Sequence, residues 1–422
     1  MDLVVMPSSV EGLLRAPPSK SYTHRALFAS LLAGGESRLV DPLVSNDTEA
    51  TIEAIRLFGA HVTRGRGHFV IASRSLVAPG VINCRGSGTT IRIAAAIASL
   101  LDDPVTLYGN RSLNRRPMGP LVEALRRLGA SVTCGHGCTP PVTVKGYGLR
   151  PKTGSVFVDA SISSQFVTAL LMIAPLIGLE VHTRGPVRSR PYIDVTARVL
   201  EAFGVTVNAR GYRSFRVRGS YRPTTYTVPG DYSSASFMLA AGAIAGRVTV
   251  RNLDPSDPQA DKAILDILRR MGAKVRVGVE RVVVEGGGLL DAVEADLSDS
   301  PDLAPILAVV AAYAKGVSVL TGLGHLVYKE SDRIRSIVGN LRRIGVHASV
   351  VDKETITIKG GEHVEGGTVD PEGDHRIAMA FAIAGLRAKR GVRVAGIECV
   401  KDSYPSFIED LSRIGAAAWL HK

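Results

Sequence analysis

A chain of 422 residues, 45% of them apolar, is too long for one ordinary core and can bury two. No apolar run reaches the roughly 18 residues of a membrane span, and Met1-Asp-Leu-Val-Val lacks the opening of a secretion signal, so a cytoplasmic protein with no membrane partner is expected. The net charge of +12, carried by 39 Arg and 12 Lys, leaves two classes open: a nucleic-acid surface, or a cleft for small, multiply anionic substrates.

In chain order the predicted elements repeat one phrase six times. Each copy holds a helix apolar all round, a short strand, an amphipathic helix ending at a glycine, and a strand pair. The first follows Pro18-Ser-Lys-Ser21, with a buried helix from Arg25 to Leu32, a strand at Ser37-Arg-Leu-Val40 and a terminating Gly59. The second follows Gly86-Ser-Gly-Thr-Thr90, with a helix from Ile91 to Leu101, a strand at Val105-Thr-Leu-Tyr108 and Gly129. After it, Cys134-Gly-His136-Gly-Cys138 offers three ligands, one short of a structural zinc site; small residues in a hairpin turn are the favoured reading, a metal or disulfide the alternative.

The third copy follows Ser161-Ile-Ser-Ser-Gln165, with a helix from Val167 to Ile177 and Gly204. Pro223-Thr-Thr-Tyr-Thr-Val-Pro-Gly230 then makes a hinge. The fourth has Gly230-Asp-Tyr-Ser-Ser234, a helix from Phe237 to Ile244, a strand at Arg247-Val-Thr-Val250 and Gly272. The fifth has Ser300-Pro-Asp302, a helix from Leu303 to Ala314, a strand at Val317-Ser-Val-Leu320 and Gly345. The sixth has Gly373-Asp-His-Arg376, a helix from Ile377 to Leu386 and Gly415. The terminating glycines are 70, 75, 68, 73 and 70 residues apart, a steady period that marks one βαβαββ unit used six times.

Six units divide into three and three. The expected fold is α+β: two globular domains of three βαβαββ repeats each, with buried central helices, outer sheets and the active site in the gap between the domains. Every buried helix starts in a segment of capping residues and free backbone N–H groups, and a helix N-terminus is a ready anion site. Two segments go beyond capping. Ser19-Lys-Ser-Tyr-Thr-His-Arg25 aims an ammonium, a hydroxyl and a guanidinium at one point. In Tyr328-Lys-Glu-Ser-Asp-Arg333, Lys329 and Arg333 would share a helix face, with Glu330 beside them as a proton donor.

Together with Gly88-Thr-Thr-Ile-Arg92, Asn114-Arg-Arg-Pro117, Ser163-Ser-Gln165, Ser189-Arg-Pro-Tyr192 and Asp374-His-Arg376, these segments resemble the 5-enolpyruvylshikimate-3-phosphate (EPSP) synthases, from about residue 12 to about residue 410 and in order. The resemblance implies transfer of the enolpyruvyl group of phosphoenolpyruvate to the 5-hydroxyl of shikimate 3-phosphate, on the route to aromatic amino acids, with no metal or organic cofactor and with glyphosate as inhibitor. It implies a first domain at 14–227, mainly for shikimate 3-phosphate, and a second at 1–13 and 228–422, mainly for phosphoenolpyruvate and the catalytic carboxylates, with hinges near 12–20 and 223–231. Shikimate 3-phosphate would be bound by Lys20, Ser21, Arg25, Ser163, Ser164, Gln165, Ser189, Tyr192, Asp302, His325 and Lys329. Phosphoenolpyruvate would be bound by Lys20, Gly88, Arg116, Gln165, Arg333, Arg376 and Lys401. The catalytic residues would be Asp302, taking the proton of the 5-hydroxyl, Glu330, protonating the methylene carbon, and Lys20.

Three positions depart from the family. Gly86 stands where Asn is usual, so that contact is missing or supplied by Ser87. Asp402 precedes Ser403-Tyr-Pro405 where bacterial relatives place Lys, with Lys401 one residue early. His325 stands where some relatives have Asn. The sister enzyme acting on UDP-N-acetylglucosamine is disfavoured by Lys20-Ser21 in place of Lys-Asn and by the lack of a Cys near Arg116. An RNA-binding repeat protein would leave Asp302 and Glu330 unexplained. The partners expected are therefore the two small substrates, with no nucleic acid, and the protein is expected to be a monomer.

Overall fold

The computed structural model of the chain describes residues 1–146, 154–286, 288–361 and 364–421. It holds two compact units: Pro18–Val228, and Met1–Pro17 joined with Pro229–Lys422. Each unit has its own apolar core.

The six apolar helices are Lys20–Ala33, Gly88–Ala98 and Gln165–Ile177 in the first unit, and Tyr232–Ala245, Ala304–Ala312 and His375–Ala384 in the second. Ala304–Ala312 is buried along its whole length, as a helix without a polar face must be. Five of the helices start ahead of their apolar runs, so that Lys20, Ser21, Gly88 and Arg376 lie in the first turns of three of them. The fifth ends at Ala312 rather than Ala314, because Ala314 already opens the strand Ala314–Thr321.

The amphipathic helices are Asn46–Leu57, Gly119–Arg127, Pro191–Ala202, Ile264–Arg270, Arg333–Arg343 and Phe407–Arg413. Just past them stand Gly59, Gly129, Gly204, Gly272, Gly345 and Gly415, all with φ between 87° and 106°. That left-handed backbone ends a helix and suits glycine, which explains the period in the sequence.

Each repeat forms a small sheet in which a parallel pair is followed by two antiparallel pairings. Val81–Asn83, Val105–Tyr108, Val142–Lys145 and Ser131–Cys134 are one example in spatial order. In two repeats the leading strand comes from elsewhere in the chain. Thr225–Thr227 pairs in parallel with Gly35–Val40. Val10–Arg15, which precedes that repeat in sequence, pairs instead with Gly246–Arg251 of the fourth. Asp2–Met6 fills the sixth sheet, between Val392–Val394 and Ala417–His421.

Cys134 and Cys138 form a disulfide, which corrects the favoured expectation of an unlinked turn. Gly137 and Cys138 both have positive φ, 66° and 52°, and Gly135 N donates to Thr139 O at 2.8 Å. The tightened loop brings the two Cα atoms to 5.1 Å, within reach of a bridge. Among the described residues no helix is long and apolar enough to cross a membrane.

Candidate active site

In the first unit, side chains from the starts of all three buried helices carry the predicted positions. Lys20 opens its helix and its Nζ lies 2.8 Å from Oδ2 of Asp47, a residue in the first turn of Asn46–Leu57. Arg25 takes different partners. It is buried, and its guanidinium donates to Thr196 Oγ1 at 2.8 Å, Ser21 O at 2.9 Å, Tyr192 O at 3.1 Å and Thr168 Oγ1 at 3.3 Å. Burial pulls its pKa down to about 10, with Tyr192, Tyr22 and Tyr226 resisting, so it stays a cation at neutral pH. Lys20 and Arg25 are thus held by separate partners instead of converging as the spacing in sequence suggested.

Gly88, Arg116 and Gln165 do converge. A Cβ on Gly88 would lie 2.6 Å from Arg92 Nη1, 3.2 Å from Arg116 Nη1 and 3.4 Å from Gln165 Oε1. Glycine keeps that space open for the two guanidiniums. Arg92 Nη1 donates to Gln165 Oε1 at 2.6 Å and to Gly88 O at 3.2 Å, and its guanidinium sits 5.2 Å from the centre of the Phe166 ring. Gln165 Nε2 donates to Thr89 Oγ1 at 3.2 Å, fixing the amide, while Ser163 Oγ accepts from Gln165 N at 3.2 Å. Ser164 is buried as the N-cap of Gln165–Ile177. Ser189 is buried with φ 56°, a strained value for a non-glycine residue, immediately before the helix that carries Tyr192.

In the second unit one guanidinium organises the carboxylates. Arg333, 1% exposed, donates to Asp302 Oδ1 at 2.6 Å, Glu330 Oε2 at 2.6 Å and Asp374 Oδ2 at 2.8 Å. Asp302 is also bound by Arg376 Nη2 at 2.9 Å and faces Lys329 Nζ at 3.8 Å. Burial works hardest against the charge on Asp302, yet Arg376, Lys329 and Arg333 together hold its carboxyl well below the usual carboxylate range. For Arg333, burial is outweighed by Asp374, Glu330 and Asp302, which push its pKa well above normal. Burial lowers that of Lys329, with Asp302 opposing and Arg333 adding to the shift. The result is an ionised carboxylate at the centre of three cations, with a second carboxylate on the same guanidinium.

The shared helix face predicted for Lys329 and Arg333 is not present. Lys329 is extended, with φ −87° and ψ −158°, after the 3-10 turn Gly324–Tyr328. The helix begins only at Arg333, because Asp332 caps it by accepting from Arg335 N. Both cations still reach Asp302. His325 is buried in that 3-10 turn. Lys401 is exposed at the end of the turn Ile397–Asp402, and among the described residues it makes no bond to the carboxylate cluster.

Four contributors escaped the reading of the sequence. Asp374 looked like a cap, and it is one, accepting from Arg376 N at 3.0 Å while also clamping Arg333. Arg92 stood in a quoted motif without a role. Asp47 lies in an ordinary capping box begun by Ser45. Asp261 lies in the short 3-10 turn Ala260–Ala263 and carries no local signal; it is buried, bonds Ser233 Oγ, and has its pKa raised to about 6 by burial and by the charge of Asp302.

A sequence profile of the EPSP synthase (3-phosphoshikimate 1-carboxyvinyltransferase) family matches residues 4–411. The 3-phosphoshikimate 1-carboxyvinyltransferase of Aeropyrum pernix is 54% identical over 98% of this chain and 96% of its own length. The enzyme of the same name from Thermococcus kodakarensis is 48% identical over 98% of this chain and all of its own. The solved EPSP synthase of Acinetobacter baumannii superimposes with a TM-score of 0.81 at 28% identity, covering 99% of this chain and 100% of that one. The enolpyruvyl transferase NikO of Streptomyces tendae shares the fold, with a TM-score of 0.79 at 18% identity over 99% of this chain and 98% of its own.

Proposed function

From the premise that this chain belongs to the EPSP synthase family, and so transfers the enolpyruvyl group of phosphoenolpyruvate to the 5-hydroxyl of shikimate 3-phosphate in aromatic biosynthesis, we propose how its side chains divide the work. The unit Pro18–Val228 mainly holds shikimate 3-phosphate, through Ser21, Arg25, Ser163, Ser164, Ser189 and Tyr192, with Gln165 serving both substrates. Phosphoenolpyruvate is bound by Lys20, Gly88, Arg116, Arg333 and Arg376. Lys329 and His325 add to the shikimate side, and Lys401 to the phosphoenolpyruvate side.

Asp302 takes the proton of the 5-hydroxyl as that oxygen attacks C2 of phosphoenolpyruvate, and Glu330 gives a proton to C3, which becomes a methyl group. The tetrahedral intermediate then returns one methyl proton to the Glu330 carboxylate as its C2–O bond to phosphate breaks, which restores the double bond and releases phosphate. Lys20, Arg116, Arg333 and Arg376 stabilise the charge that gathers on the leaving phosphate. The observation that carries this reading is the single guanidinium shared by Asp302 and Glu330, each at 2.6 Å. In the unliganded protein Arg376, Lys329 and Arg333 make Asp302 a weak base. The anionic donor would draw those cations toward itself and so raise the basicity of Asp302 only when the donor is bound. We take the enzyme to act as a monomer, in the cytoplasm with its phosphorylated substrates.

The test is phosphate release by the purified protein. Release should require phosphoenolpyruvate and shikimate 3-phosphate together. No release, or release with UDP-N-acetylglucosamine in place of shikimate 3-phosphate, would overturn the assignment.

A further inference from the structure

Position 86 carries no side chain, and the structure accounts for the space. The Gly86 backbone is not left-handed, so conformational freedom does not explain the glycine. A Cβ there would stand 3.1 Å from Nδ2 of Asn110 and 3.8 Å from Oδ1 of Asp47. The first distance is tighter than ordinary packing. Asn110 reaches in from the loop after the strand Val105–Tyr108 and occupies the room that a side chain at 86 would need.

Its orientation is dictated. Asn110 N donates to Arg85 O at 2.7 Å, its carbonyl accepts from Asn114 N at 2.9 Å, and its Oδ1 accepts from Leu113 N at 2.9 Å. With the oxygen turned to Leu113, the NH2 end of the carboxamide must face Gly86. Among the described residues that NH2 has no hydrogen-bond partner. Beside it, the other oxygen of Asp47 holds Lys20. The 3-10 turn that Asn110 anchors, Leu113–Arg115, delivers Arg116.

We propose that Asn110 is a substrate-binding residue: its Nδ2 donates a hydrogen bond to an oxygen of phosphoenolpyruvate between Lys20 and Arg116. This rests on the proposed binding of that substrate by those two cations. The arrangement is a neutral donor, oriented in advance by its own oxygen, set beside charged ligands whose pull it sharpens in direction.

Asn110→Asp separates this role from a purely structural one, because it keeps the acceptor for Leu113 N and removes the donor. Asn110→Ala removes both. Steady-state kinetics should show the KM for phosphoenolpyruvate raised about ten- to a hundredfold in Asn110→Ala. In Asn110→Asp it should rise at least as far, since an anion now faces an anion. The KM for shikimate 3-phosphate should stay within about twofold in both. Arg116→Ala serves as the reference. If Asn110→Asp matches the unaltered protein while Arg116→Ala binds phosphoenolpyruvate poorly, the donor role is wrong and the placement of the substrate survives. If Arg116→Ala binds it normally, that placement fails and this proposal with it. Thermal unfolding of each variant shows whether the turn has held, and direct calorimetric titration with phosphoenolpyruvate gives the same answer without turnover.

Discussion

Glu330 shares Arg333 with Asp302 and Asp374, so its chemistry and its anchoring are separable by a substitution that keeps its shape. Glu330→Gln retains an acceptor for Arg333 and loses the transferable proton. Turnover should fall by about a hundredfold or more, while the dissociation constants of both substrates change by less than about threefold. Rapid-quench and equilibrium binding measurements separate the two; unchanged turnover would put the proton donor elsewhere. Asp261 gives a different test. The folded protein holds its proton to about pH 6, and the unfolded chain releases it near 3.8. Folding therefore binds a proton in that interval, and stability falls as pH rises through it. Asp261→Asn keeps the shape without the charge, and should gain a few kcal/mol over the unaltered protein above pH 6 and nothing below pH 4. Guanidinium unfolding of the two proteins from pH 4 to pH 7 measures the difference. No inspection of the sequence finds Asp261, because its meaning lies in being near Asp302 and Arg376, residues brought to it only by folding.

At the level of elements, what was legible was local. A glycine with φ near 90° ends a helix whatever lies around it, so the period of Gly59, Gly129, Gly204, Gly272, Gly345 and Gly415 gave the repeat directly. The face proposed for Lys329 and Arg333 failed for an equally local reason, the cap at Asp332, which competes with helix propensity one residue before Arg333. The Cys134–Cys138 bridge was misjudged because the loop closes through the positive φ of Gly137 and Cys138, which spacing alone does not reveal. Two glycines of the amphipathic helices make opposite predictions. Gly204 has φ 87°, and a Cβ there would meet Ser220 O at 2.9 Å, so Gly204→Ala should destabilise by about 1–3 kcal/mol. Gly339 lies inside Arg333–Arg343 with open space around its missing Cβ, so Gly339→Ala should stabilise by up to about 1 kcal/mol. Denaturant midpoints of the two variants check both signs, and a gain from Gly204→Ala would contradict the role of its backbone.

Over the whole molecule, each unit depends on strands that are remote in sequence. The second unit needs Asp2–Met6 and Val10–Arg15, whereas the first draws all its elements from Pro18–Val228. Removing residues 1–15 takes an inner strand from the sixth sheet and the parallel partner from the fourth. Calorimetry of that truncated chain should lose the unfolding transition of the second unit and keep one for the first. Two intact transitions would show that the crossing strands are dispensable.

The same crossing strands impose an order on synthesis. Met1 lies against Glu398, 397 positions further along the chain, and Asp2–Met6 has no partner until Val392–Val394 and Ala417–His421 exist. At roughly 5–20 residues per second, that is a wait of some 20–80 s on the ribosome. Throughout it the β-prone segment Asp-Leu-Val-Val-Met has its backbone hydrogen bonds unmade, while Val-Glu-Gly-Leu-Leu-Arg waits only until Gly246–Arg251 has been made. The chain's exposure to misassembly while being made is therefore concentrated in its earliest residues, just ahead of the first helix that carries its chemistry.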